Sequence, residues 1–132
     1  MYGFSFVKRL GQKEIKTEIE PKDIRIQILN GSGIKGVCRK VSEFLNENRS
    51  KNLVFYVVNE VDFSDSFVFQ TILLDRSGNK ELIGQIAEIL GLKKNNVFFK
   101  PLKDNFLDLD ATLVLGSDFK KILKKAEGKM EN

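Results

Sequence analysis

The chain has 132 residues, 42% hydrophobic and 30% charged, which is enough for one globular domain with a real core and too little for two. It has no histidine and one cysteine, so the commonest general base, an internal disulfide and a thiolate metal site are all excluded. Its net charge of +4 permits anionic partners without demanding one.

Residues 1–23 are polar, carry Pro21 and read as an N-terminal tail or tether. Residues 1–8 are too short for a signal peptide, and no apolar run approaches the roughly 20 residues of a membrane span. Ile24, Ile26 and Ile28 alternate with Arg25 and Gln27, which predicts a strand with one buried and one wetted face. A glycine-rich turn, Asn30–Gly36, leads into a helix whose apolar stripe is Ile34, Val37, Cys38, Val41, Phe44 and Leu45. On that stripe Cys38 is a small core hydrophobe. Asn46–Asn52 ends the helix, Leu53–Val58 is a second strand, and a polar stretch precedes a third at about Phe67–Leu74. Leu82, Ile83, Ile86, Ala87, Ile89 and Leu90 form a second helical stripe, ended by Gly91. Val97–Lys100 is a short strand stopped by Pro101, and the acidic loop Lys103–Asp110 leads to a last strand, Ala111–Leu115. Ser117 is placed to cap a final helix with Phe119, Ile122, Leu123 and Ala126 on one side and Lys120, Lys121, Lys124 and Lys125 on the other.

Shifting the first strand–turn–helix by 45 residues lays Leu29 on Leu74, Ser32 on Ser77, Gly33 on Gly78, Lys35 on Lys80, Glu43 on Glu88 and Leu45 on Leu90. Asn30 falls on Asp75 and Cys38 on Ile83. An internal repeat of this kind predicts architecture before any single element does. The order β-α-β-β-α-β, then β-α, predicts an α/β (α+β) fold: a two-layer sandwich with a ferredoxin-like pseudo-twofold arrangement and an extra C-terminal strand and helix. The wetted face of the first strand argues against helices on both sides of the sheet.

Gly31-Ser32-Gly33-Ile34-Lys35-Gly36 matches G-x-G-x-x-G after a predicted strand, with Glu60 near the end of the next one. A dinucleotide fold is argued against by the missing strands and helices, by the half-wetted first strand and by a second copy that keeps only Ser-Gly. The structural reading has Asn30 and Ser32 bonding the free amides at the helix start, Ser77 doing the same in the second copy, and the glycines supplying special backbone angles. The competing reading is an anion site at the helix start formed by Asn30, Gly31, Ser32, Gly33, Lys35 and Gly36. No cofactor and no metal site is expected. Asp104, Asp108 and Asp110 lack the spacing of an EF-hand and read as a solvated turn. Strand aromatics on a basic chain (Phe55, Tyr56, Phe67, Phe69, Phe98 and Phe99) raise RNA recognition, but Asp65-Ser66-Phe67-Val68-Phe69 does not match the RNA-binding signature.

The chain resembles the LytR C-terminal domain family, accessory domains that stand behind the catalytic domain of LytR-CpsA-Psr cell-envelope proteins. The family's opening, a strand ending in Asn-Gly-Ser/Thr-Gly-x-x-Gly, is present as Asn30–Gly36. Its closing pattern, an Asp before a short apolar strand and then Gly-x-Asp-aromatic, is present as Asp110 to Leu115 followed by Gly116, Ser117, Asp118 and Phe119. Asp75 and the helix ending at Leu90-Gly91 also fit. Val37 and Cys38 depart from the small residues usual after the third glycine. The resemblance covers about residues 24–119, leaving residues 120–132 as the end of a helix and a tail. It implies a non-catalytic, extracytoplasmic accessory domain whose partner is an envelope protein or polymer, with no catalytic residues to carry over. An anionic or phosphorylated envelope ligand at Asn30–Gly36 is the alternative function, and cytoplasmic nucleic-acid binding the third. The sheet face away from the helices is mixed in character, so the final helix is expected to cover it, with a homodimer second.

Overall fold

The computed structural model describes residues 22–47, 53–62 and 67–123. The elements in chain order are β1 (Lys22–Asn30), α1 (Val37–Glu47), β2 (Leu53–Asp62), β3 (Ile72–Asp75), α2 (Lys80–Leu90), a 3-10 turn (Lys94–Asn96), β4 (Val97–Phe99) and β5 (Ala111–Leu115). A last helical segment begins at Phe119. The tail expected over 1–23 falls outside the described residues except for Lys22 and Asp23, which already pair with Leu53 and Val54 as the start of β1.

The five strands form one sheet in the order β2-β1-β5-β3-β4. β1 runs parallel to β2 and β5, β3 runs parallel to β4, and β5 and β3 are antiparallel. A ferredoxin-like split βαβ puts another strand between the two parallel ones. Here β1 and β2 are direct neighbours, β3 and β4 likewise, and β5, the last described strand in chain order, lies between the two units. β1 and β3 therefore point in opposite directions, and each returning strand lies on the outer side. Right-handed crossovers then put α1 and α2 on the same face.

That face is the core. Ile24, Ile26 and Ile28 of β1 register with Phe55 and Val57 of β2 and with Ala111 and Leu113 of β5, which continue into Leu73 and Asp75 of β3. They form one buried cluster with Val37, Cys38, Val41 and Leu45 of α1 and with Leu82, Ile83, Ile86 and Leu90 of α2. Phe119 and Ile122 join this same cluster. The final helix thus seats its apolar side in the core and does not cover the opposite face as expected.

The opposite face is held by side-chain hydrogen bonds crossing four strands. Gln27 on β1 donates to Asn59 on β2 (2.9 Å), Thr112 on β5 donates to Gln27 (3.1 Å), and Arg76, just past β3, donates through Nε to Thr112 (2.9 Å). A face cross-linked this way satisfies its polar groups without an apolar lid.

Boundaries moved where backbone geometry overrides apolar spacing. Ile34, counted on the first stripe, precedes α1 and is half exposed. Gly33 and Gly36 hold φ of 82° and 83°, left-handed values that postpone a right-handed helix to Val37. β3 is shorter than expected because residues 67–71 leave the sheet as a connecting loop. β2 runs on to Asp62, with Val58 as a bulge between the Val57–Ile26 and Asn59–Gln27 pairs. Gly91 ends α2 at φ 73°, its N–H donating to Glu88 O and that of Leu92 to Ala87 O, a Schellman pair.

Candidate functional site

The Asn30–Gly36 turn sits where β1 and β5 both end. Asn30 is buried and uses every hydrogen-bonding position of its amide. Its Oδ1 accepts from the Ser32 N–H (3.0 Å) and the Ser32 hydroxyl (2.6 Å), and its Nδ2 donates to Ile34 O (2.7 Å) and Asp62 Oδ1 (2.8 Å). The Ser32 hydroxyl oxygen in turn accepts from the Ile34 N–H at 3.2 Å.

Forty-five residues later the second turn makes three of the same bonds. Asp75 Oδ1 accepts from the Ser77 N–H (3.0 Å) and hydroxyl (3.2 Å), and the Ser77 oxygen accepts from the Asn79 N–H (3.1 Å). Gly78 shares the φ of 82° seen at Gly33. The serines therefore close turns and do not cap helices. The cap of α2 is Asn79, which accepts from the Leu82 N–H at 3.1 Å. The reason is distance along the chain: each serine is followed by a left-handed glycine before its helix begins.

The opening turn is clamped from above by residues 68–71 and the closing residues 116–118. The Val68 N–H donates to Gly31 O (2.7 Å), the Ser117 N–H to Val68 O (2.8 Å) and the Ser117 hydroxyl to Phe69 O (3.0 Å). Asp118 Oδ1 accepts from both the N–H and hydroxyl of Thr71 (2.8 and 2.7 Å), and Thr71 Oγ1 accepts from the Gly116 N–H (3.0 Å). Gly116 is required here, since a Cβ would stand 2.6 Å from Gln70 C and 2.8 Å from Thr71 N. At the other end of β5, Asp110 Oδ2 accepts from the Arg25 N–H (2.9 Å) and the Asp110 N–H donates to Arg25 O (2.8 Å). The opening and closing motifs, far apart in sequence, are thus one joint. Thr71, its buried centre, belongs to neither motif and carries no sequence signal of its own.

Of the six expected ligand residues, Asn30, Gly31 and Ser32 are buried in this joint, while Gly33, Lys35 and Gly36 are exposed beside it. Phe67 stands exposed over Gly33, with the exposed Phe69 edge to face against it at 5.0 Å. Cys38 is buried against Ile28 O and Val61 O, and its thiol is pushed up to about 12 by burial and then by Asp62 and Glu60. A thiol so placed is protonated and inert. In the acidic loop Asp104 and Asp108 point to solvent while Asp110 binds backbone, and no group of three His, Cys, Asp or Glu among the described residues could hold a metal ion. The strand aromatics form no single platform: Phe55 is in the core, Tyr56 and Phe98 lie at opposite edges of the outer face, and Phe99 is on the helix side. Among the described residues no helix is long and apolar enough to cross a membrane.

The family model for the LytR cell envelope-related transcriptional attenuator (LytR_C) matches residues 23–119, from the second residue of β1 to the first of the final helix. The chain belongs to this cell-envelope-associated family. No curated protein and no solved structure matches the chain.

Proposed function

We propose that the chain is a non-catalytic accessory domain of a cell-envelope protein, acting by binding a partner. The observation that carries this reading is the joint itself: Asn30, Ser32 and Asp118 of the family's opening and closing motifs commit their side-chain polar atoms to one another within the turn, to backbone, and to Asp62 and Thr71. A reaction centre needs polar groups left over for substrate. The absence of histidine from the sequence and the burial of the one thiol point the same way. The test is removal of residues 23–119 from the full-length gene product. The expected result is loss of envelope partners in crosslinking, with any neighbouring enzymatic domain still turning over its substrate. Loss of turnover with partners retained would overturn the reading.

The second reading, an anionic envelope ligand at the opening loop, is favoured by the exposure of Lys35 beside the Gly33 and Gly36 backbone. Asn30 and Ser32 then act only by shaping the loop. Titration with inorganic phosphate should shift the Gly33–Gly36 amides in the native chain and not in Lys35→Ala. Equal shifts in both would remove the loop from consideration.

A further inference from the structure

The second half of the molecule carries a surface feature that neither motif uses. α2 and β4 border a groove of about 1030 Å³. Its floor is apolar, formed by Ile83 and Ala87 from the helix and by Val97 and Phe99 from the strand. Val97 and Phe99 register with Leu73 and Asp75, so they face the helix side, and Phe99 is 62% exposed. β4 is also an edge of the sheet, with β3 on one side and no strand among the described residues on the other.

Charge gives the groove a preference. Three lysines, Lys80, Lys93 and Lys94, line it with two carboxylates. One of those carboxylates, Asp75, is 4% exposed and holds the Ser77–Gly78 turn, so it offers little negative charge outward. The other sheet edge is the opposite: β2 ends in Glu60 and Asp62.

Gly84 supports the same surface from another direction. A glycine inside a helix costs about 1 kcal/mol relative to alanine. Space does not demand it, because a Cβ there would meet nothing within 4 Å. Position 39, its counterpart in α1, is an exposed arginine. The glycine keeps the helix wall of the groove low.

We propose that this groove receives an extended peptide segment of a partner protein that adds a strand to β4 and presents both apolar and acidic side chains on its groove-facing positions. Backbone hydrogen bonds to the β4 edge supply register. The side chains at every second position enter the groove: apolar ones in the middle between Ile83, Ala87, Val97 and Phe99, and carboxylates at either end, toward Lys80 and toward Lys93 and Lys94. The inference does not depend on envelope location, so its failure and that of the accessory-domain reading are separable.

The test uses the full chain, isotope-labelled, with three synthetic octapeptides carrying Thr at every second position: Val-Glu (Glu-Thr-Val-Thr-Val-Thr-Glu-Thr), Val-Lys (Lys-Thr-Val-Thr-Val-Thr-Lys-Thr) and a block-ordered control (Val-Thr-Val-Thr-Glu-Thr-Glu-Thr). The Val-Glu peptide should bind saturably, shift amides in Lys80–Phe99 and protect β4 amides from exchange. Gly84→Phe, whose Cβ would meet nothing within 4 Å and which improves helix propensity, should keep the melting temperature and weaken binding at least tenfold. Lys93→Glu with Lys94→Glu should weaken the Val-Glu peptide at least tenfold and strengthen Val-Lys. The proposal falls if Val-Glu does not bind at millimolar concentration, if the Val-Lys or block peptide binds as well, or if shifts map to β2. It also falls if Gly84→Phe breaks a dimer of the chain, which would make the occupant a second copy. Tighter peptide binding after deletion of residues 1–20 would make the occupant the chain's own tail and equally overturn it.

Discussion

At Asn30 the oxygen that gathers the turn is an amide, and at Asp75 it is a carboxylate; the neighbours account for the choice. Asn30 lies in register with Asp62 at the end of β2 and must donate to it, which only the amide nitrogen can do. A carboxylate there would face Asp62 with like charge. Asp75 has no such obligation. Its Oδ1 collects three donors, the Ser77 N–H, the Ser77 hydroxyl and the Gly78 N–H, just ahead of α2, where negative charge suits the helix start. The same turn pattern is thus built once as a buried, clamped joint and once as a more open loop.

The strongest way to break this comparison is at the clamp. Gly116→Ala forces a methyl into the backbone of Gln70 and Thr71, and should cost about 3 kcal/mol in urea unfolding. Amide exchange should rise more at Gly31 and Val68 than at Ser77 and Gly78; uniform loosening would show that the two turns are not held differently. Next is the swap of acceptors. Asn30→Asp removes two donors and buries a charge beside Asp62, for about 2–3 kcal/mol, whereas Asp75→Asn keeps its acceptor and should cost less than about 1 kcal/mol. Equal losses would refute the explanation given for the two residue types. The serines sharpen it further. Ser32→Ala at a buried site should cost about 1–2 kcal/mol, against less than about 0.5 for exposed Ser77→Ala.

The smallest effect concerns Cys38, which stands where the second half has Ile83. In the folded chain burial pushes the thiol up to about 12 from an ordinary 9.0. The unfolded chain therefore ionises first as pH rises. Stability from this group is intact below pH 9 and is lost progressively from there up to about 12. Urea midpoints of the native chain should fall more between pH 8 and about pH 10.5 than those of Cys38→Val, because only the native chain has the thiol to ionise. Parallel pH curves would mean that the thiol is not buried as described.

Much of the fold was legible in residue spacing. Alternating Ile24, Ile26 and Ile28 named the buried face of β1, the stripe from Leu82 to Leu90 named α2, and Ala111–Leu115 has the expected bounds of β5. These are local patterns, and burial of one face dictates them directly. The serine role was misread because a Ser before a helix is the ordinary signature of a cap, and only the structure shows that the left-handed glycine after it holds the helix start further along the chain.

What the sequence by itself determined is the order of the elements, the inward faces of β1 and of the two main helices, the family motifs and the exclusion of histidine chemistry. Strand order was decided by tertiary structure alone, because β5 reaches its place between the two βαβ units through contacts distant in sequence: Asp110 with Arg25 and Asp118 with Thr71. The seat of the final helix is the same kind of fact. An apolar stripe says that Phe119 and Ile122 must be buried, but only the packed sheet and helices decide on which side. Side-chain periodicity is a property of one segment, whereas register, adjacency and clefts belong to pairs of segments, which no single stretch of sequence contains.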